Sequence, residues 1–143
     1  MNGFDDRRPV PGWFMAAVAG ALLWELAGCA LYLMRVTTDP ATLPPDQAAI
    51  FAATPGWVLA AFAVAVWVGL AGAVLLLMRR KLAEPLLLVS LIALLVQNSA
   101  LLLDPELSNL VASDDLLMPF VVIVISYGVW HFARLARKRG WLR

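Results

Sequence analysis

Four apolar runs divide the chain: Trp13 to Met34, Trp57 to Met78, Pro85 to Leu103 and Leu116 to about Ala133, each bounded by charge or proline. Each has 18 to 22 residues, and a helix needs about 20 to cross the hydrocarbon core of a bilayer. Stretches such as Val74-Leu75-Leu76-Leu77 lack the period-two alternation of a lipid-facing barrel strand. In lipid the backbone must therefore satisfy itself as helix. The pattern predicts an all-α fold, a four-helix transmembrane bundle forming one integral membrane domain over residues 1–143. The short link Arg79 to Glu84 makes the second and third spans antiparallel neighbours. The first link is longer and proline-rich. In it Thr42-Leu43-Pro44-Pro45-Asp46 reads as a helix start, which predicts a short interfacial helix through Gln47 to Ala53 with Ile50 and Phe51 facing the membrane.

Composition agrees with a membrane setting, because 62% of residues are hydrophobic against roughly 45 to 50% in soluble domains, and the mean hydropathy is +0.82. Charge orients the bundle. Arg7, Arg8, Arg79, Arg80, Lys81 and the basic tail 134–143 fall on one side, and only Arg35 of the 11 Lys and Arg residues falls on the other. The positive-inside bias then predicts both termini in the cytoplasm, N-in and C-in. Trp13 and Trp130 would anchor the inner surface, Tyr32 and Trp57 the outer one. Arg134, Arg137, Lys138 and Arg139, with Trp141, read as contacts to anionic lipid headgroups, and His131 as a favourable cap near a helix end or a headgroup contact. The outer acids Asp104, Glu106, Asp114 and Asp115 either attract cations or are simply solvated. With one Cys and one His, no internal disulfide and no structural zinc site is expected. No cofactor, metal, nucleic-acid partner or enzyme activity is expected either, since phosphate-loop, nucleophile-turn and zinc-protease motifs are absent from the sequence.

Glu25 is the residue that calls for explanation. It lies in the middle of the first span, where an acid costs about 2.5 to 3.5 kcal/mol on insertion scales. Depth counting at 1.5 Å per residue places Glu25, Trp67, Gln97 and Tyr127 roughly 9 to 16 Å below the outer ends of their helices, with Trp24, Asn98 and Ser126 close by. A carboxylate, amides and aromatic faces at one level suit a polyol or a cation. A sheltered carboxyl group could also exchange protons, as a proton-coupled carrier requires. Equally, the cluster could satisfy itself and hold the helices in register. Small residues Ala61, Ala65, Gly69 and Ala73 form a stripe on the second span, and Ala16, Gly20 and Gly28 form another on the first. They predict that these two helices pack together, within one subunit or across a dimer.

Three resemblances bear on function. Leu26-Ala27-Gly28-Cys29, after Arg7, Arg8 and an apolar run, resembles a lipoprotein signal box, which would imply cleavage before Cys29 and lipid attachment. Against cleavage stand acidic Glu25 and the apolar continuation from Ala30 to Met34. Glu25-Leu26-Ala27-Gly28-Cys29-Ala30-Leu31 is similar to the first helix of small multidrug resistance transporters, by which Glu25 would be the proton and substrate site. A broader likeness runs through Thr37-Thr38-Asp39-Pro40, Pro55-Gly56-Trp57, Trp67-Val68-Gly69, Leu77-Met78-Arg79-Arg80-Lys81-Leu82-Ala83, Val89-Ser90-Leu91 and His131-Phe132-Ala133-Arg134. With its basic tail, the chain resembles small four-helix bacterial inner-membrane proteins labelled sugar transporter, which implies transport in the cytoplasmic membrane and at least a dimer. The rival expectation is an accessory or assembly subunit of a larger membrane complex.

Overall fold

Prolines mark where four of the helices begin, whereas α4 and α6 start after Leu82 and Leu116. The computed structural model describes residues 9–143; Arg7 and Arg8, assigned above to the inner side, lie outside them. Six α-helices follow one another among the described residues: α1 Gly12–Thr37, α2 Pro45–Ala53, α3 Gly56–Leu77, α4 Ala83–Leu103, α5 Pro105–Leu110 and α6 Leu117–Lys138. Pro11, Pro44 and Pro55 stand at the N-caps of α1, α2 and α3. Pro105 opens α5, whose first amides at Glu106 and Leu107 donate to the Asp104 carboxylate at 3.0 and 3.2 Å. The apolar pattern does not mark α5, and α6 runs five residues beyond Ala133. Both differences concern polar stretches, where apolar length is no guide and local capping decides.

Four helices, α1, α3, α4 and α6, are long and apolar enough to span a bilayer. Large apolar side chains face outward from them, among them Leu23 at 68% and Leu102 at 89% exposure. The chain is thus a small multi-pass membrane protein whose outer surface is solvated by acyl chains. The largest interface is between α3 and α4, followed by α1 with α3 and α4 with α6, so the helices lie in the order α1, α3, α4, α6. At one end, where the Arg79–Lys81 turn and the tail lie, α1 meets α6 through Trp13, Phe14, Phe132 and Trp141, with ring centroids 5.5 to 6.0 Å apart. This basic end is closed by a packed aromatic layer.

The tail builds that closure. After α6, Gly140 takes φ 74° and reverses the chain, with the Trp141 amide donating to the Ala136 carbonyl at 2.9 Å and the Gly140 amide to Arg137 at 3.1 Å. This is a Schellman cap, and its apolar contact is Trp141. A matching cap ends α3, where Arg79 has φ 58° and the Arg80 amide donates to Leu75 at 2.8 Å. Between the two caps, Arg143 exchanges backbone hydrogen bonds with Arg79 and Lys81 at 2.6 and 2.7 Å, and Arg79 Nε donates to the Trp141 carbonyl at 2.9 Å. Trp141 is therefore a buried plug at 6% exposure, not a lipid anchor. Of the expected headgroup residues, Arg137 pairs with Glu84 at 2.8 Å, Arg134 and Arg139 lie over Trp130 and Trp141, and Lys138 is exposed.

The opposite end carries Asp39, Asp46, Asp104, Glu106, Asp114 and Asp115 and is roofed by α2 and α5. Here Ile50 packs against Val58, Ala100 and Leu107, and Phe51 lies under the Arg35 guanidinium. Both turn toward protein, not membrane as expected: Ile50 because α5 supplies an apolar surface beside α2, and Phe51 because the Arg35 guanidinium of α1 covers its ring. The small-residue stripe on α3 serves two neighbours: Ala65, Gly69 and Ala73 are buried and Ala61 half-buried. On α1, Gly28 meets Val66. Gly20 does not act as a packing residue, since it is exposed and a Cβ there would meet nothing within 4 Å.

Candidate functional site

On α1 the buried positions are Phe14, Val18, Ala21, Glu25 and Cys29. Steps of three and four residues put them on one helix face, so Glu25 is carried inward by the same stripe that packs the helix. Opposite it on α3 stands Gly69. A Cβ at Gly69 would overlap the Glu25 carboxylate and come within 2.7 Å of Ser90 Oγ on α4. The missing side chain thus makes the space in which a carboxylate and a hydroxyl share the centre of the bundle. Ser90 donates to the Ala65 carbonyl at 2.5 Å and fastens α4 to α3. One turn along α1, Cys29 Sγ lies 3.4 Å from the Val66 carbonyl.

Toward the acidic end of this point lies a cavity of about 340 Å³ walled by all four long helices. Glu25 and Trp24 line it from α1, Ser90, Gln97 and Asn98 from α4, and Ser126 from α6. Glu25 is only 7% exposed and makes no hydrogen bond or ion pair to another described residue. Gln97 Oε1 is likewise buried without a partner. Asn98 Nδ2 is committed to the Leu94 carbonyl at 2.8 Å, leaving the amide oxygen as its free acceptor. No basic residue lines the chamber. The wall is therefore rich in hydrogen-bond acceptors, with one aromatic face at Trp24. The described residues include no group of His, Cys, Asp and Glu side chains that would hold a metal.

The structure brings together Glu25, Trp24, Gln97, Asn98 and Ser126, but not Trp67 or Tyr127. Trp67 is 44% exposed and sets its edge against Tyr32, ring centroids 6.2 Å apart. Tyr127 is 52% exposed and stacks on His131 at 5.9 Å. Depth counting used the helical rise and ignored rotation: Trp67 is two residues from Gly69, which turns it by roughly 200° away from the chamber. Tyr127 follows Ser126 and is turned by roughly 100°. His131 faces outward beside Tyr127, so it stacks on a ring as well as lying near the helix end. Ser90, missing from the expected set, was legible as a hydroxyl seven residues before Gln97 and hence on the same face of α4. Comparison with protein-family models, curated proteins and solved structures finds no match.

Proposed function

We propose that this chain binds a small solute in the Glu25 chamber and carries it across a bacterial cytoplasmic membrane, with the basic end in the cytoplasm. The observation that carries the reading is a carboxylate held inside four membrane helices, facing a chamber, with no described partner. An acid that merely pinned helices in register would be bonded to them. The cavity's about 340 Å³ lies at the lower end of the range of about 300 to 1,000 Å³ typical of small-molecule sites. Its acceptors suit hydroxyls of a polyol or the ammonium of an organic cation, and Trp24 offers a face to either. The resemblance to proteins labelled sugar transporter supports the same reading.

The test is ligand-dependent stabilisation of the full chain in mild detergent. A ligand at a hundred times its Kd should add about 2.7 kcal/mol to stability, and Glu25→Gln should remove that gain for either a polyol or an amine. If neither class stabilises the protein, or Glu25→Gln responds as the parent does, the chamber is not a solute site. One observation favours the rival reading of an accessory subunit or homo-oligomer: Ala16 and Gly20 leave a small-residue face of α1 uncovered. In that case a larger complex or a second copy should co-purify, and Gly20→Leu should release it.

A further inference from the structure

A second cavity, of about 400 Å³, lies between the Glu25 chamber and the acidic end, walled by α2 and α5 with the ends of α1, α3 and α4. Phe62, Gln97 and Asn98 line both cavities and so form the partition between them. Phe62 is steadied by an edge contact to Tyr32, centroids 5.5 Å apart, and Gln97 Oε1 sits in the partition without a hydrogen bond. The outer cavity has a charge of its own. Arg35, on the last turn of α1, lies with its guanidinium 3.3 Å from the centroid of the Phe51 ring and donates to the Phe51 carbonyl at 3.5 Å. It forms no ion pair with a described carboxylate, although Asp39, Asp46, Asp104 and Glu106 all lie at this end. A guanidinium has five donors, and one long bond leaves the others available to the cavity.

We propose that the two cavities work in series as a charge filter: solute comes from the acidic end, passes Arg35, crosses the Phe62–Gln97–Asn98 partition and then meets Glu25. The guanidinium opposes a cation at the first stage, and the second offers an anion no basic lining residue, so the path favours a neutral solute bearing hydroxyl groups. Only such a solute finds donors in the outer cavity and acceptors in the inner one without repulsion at either. The basic end is packed by the Phe14, Phe132 and Trp141 layer, which opposes entry from that side. The filter rests on the proposed function for what Glu25 holds, and it narrows the ligand from polyol or cation to the neutral kind. The access path itself needs no ligand to be measured.

A thiol placed in the inner chamber reads the path directly. In a Cys29→Ala background, Ser126→Cys is exposed to three membrane-impermeant methanethiosulfonates, cationic, anionic and neutral hydroxyl-bearing, on each side of sealed vesicles. Asn109→Cys on exposed α5 marks the side of the acidic end. The expected result is modification from that side alone, fastest for the neutral reagent, and slowed for all three by Phe62→Trp. Arg35→Gln should raise the cationic-to-neutral rate ratio about tenfold, as expected for removing one sign of charge from a lined cleft. Should Arg35→Gln not fold, Arg35→Met makes the same comparison, since it keeps an unbranched side chain and removes the charge. Modification from the basic side, from neither side, or with a ratio indifferent to the charge at position 35 would overturn the filter. Loss of the ligand effect of Glu25→Gln, with this labelling pattern intact, would instead remove the solute-site reading.

Discussion

Glu25 sits where an acid costs about 2.5 to 3.5 kcal/mol on insertion scales, and no hydrogen bond to a described side chain or carbonyl offsets it. Groups kept at such a cost for function are those whose removal stabilises the fold. Glu25→Leu should therefore raise the unfolding midpoint in mixed micelles while abolishing ligand-dependent stabilisation. A lowered midpoint would show that the carboxylate holds the bundle together. The glycines make a sharper contrast. At Gly69 a methyl group would overlap the Glu25 carboxylate and crowd Ser90, so Gly69→Ala should cost about 1 to 3 kcal/mol, the usual range for overpacking. At Gly20 the added methyl meets nothing, and Gly20→Ala should stay within about 0.5 kcal/mol of the parent. Equal effects at the two sites would contradict the burial pattern of α1 and α3.

Helix ends decide the shape of the basic face. Both α3 and α6 finish in Schellman caps, and the residue in the left-handed conformation is Gly140 in one and Arg79 in the other. A side chain in that conformation costs about 1 to 2 kcal/mol, which at Arg79 is opposed by its Nε bond to the Trp141 carbonyl at 2.9 Å. Gly140 has no such return available. Gly140→Ala should lose about 1 to 2 kcal/mol and loosen Trp141, seen as a red shift of tryptophan emission and faster proteolysis of the tail. Gly140→Asn, a residue that tolerates the conformation, should lose less. At the acidic end, α2 and α5 are short helices held by an apolar contact of Ile50 with Val58, Ala100 and Leu107. They roof the outer cavity because neither is long enough to cross the membrane, and both present apolar residues inward.

Across the molecule, the same arrangement places both basic caps at one end and Asp39, Asp46, Asp104, Glu106, Asp114 and Asp115 at the other, with the Glu25 chamber and the outer cavity lying toward these acids. If the basic end faces the cytoplasm, as the distribution of Lys and Arg implies, Asn109→Cys should be modified by an impermeant reagent outside intact cells and Lys138→Cys only after permeabilisation. The reverse pattern would invert the direction of access. Intact mass of the extracted protein belongs to the same measurement, because cleavage before Cys29 would remove most of α1 and with it Trp24 and Glu25. An uncut chain is expected, since Cys29 is packed against Val66 inside the bundle.

How much of this could be read along the chain follows from the physics of lipid. Where no water can satisfy a backbone, a long apolar run has only the helix open to it, so four spans were legible to within a few residues at their ends. Proline likewise announced α2 at Pro45. Rotation about each helix was not legible in the same way: with lipid as solvent, an outward face is as apolar as an inward one, and hydrophobic periodicity does not say which side turns to the core. That is why Trp67 and Tyr127 shared a depth with Glu25 yet point away, and why Gly20 joined a stripe that packs against nothing. The partition at Phe62, the stacking of Arg35 on Phe51 and the folded-back Trp141 arise from contacts between distant segments. Charge, length and capping are local properties that a sequence carries in itself, whereas a chamber exists only once four helices have settled how they face one another.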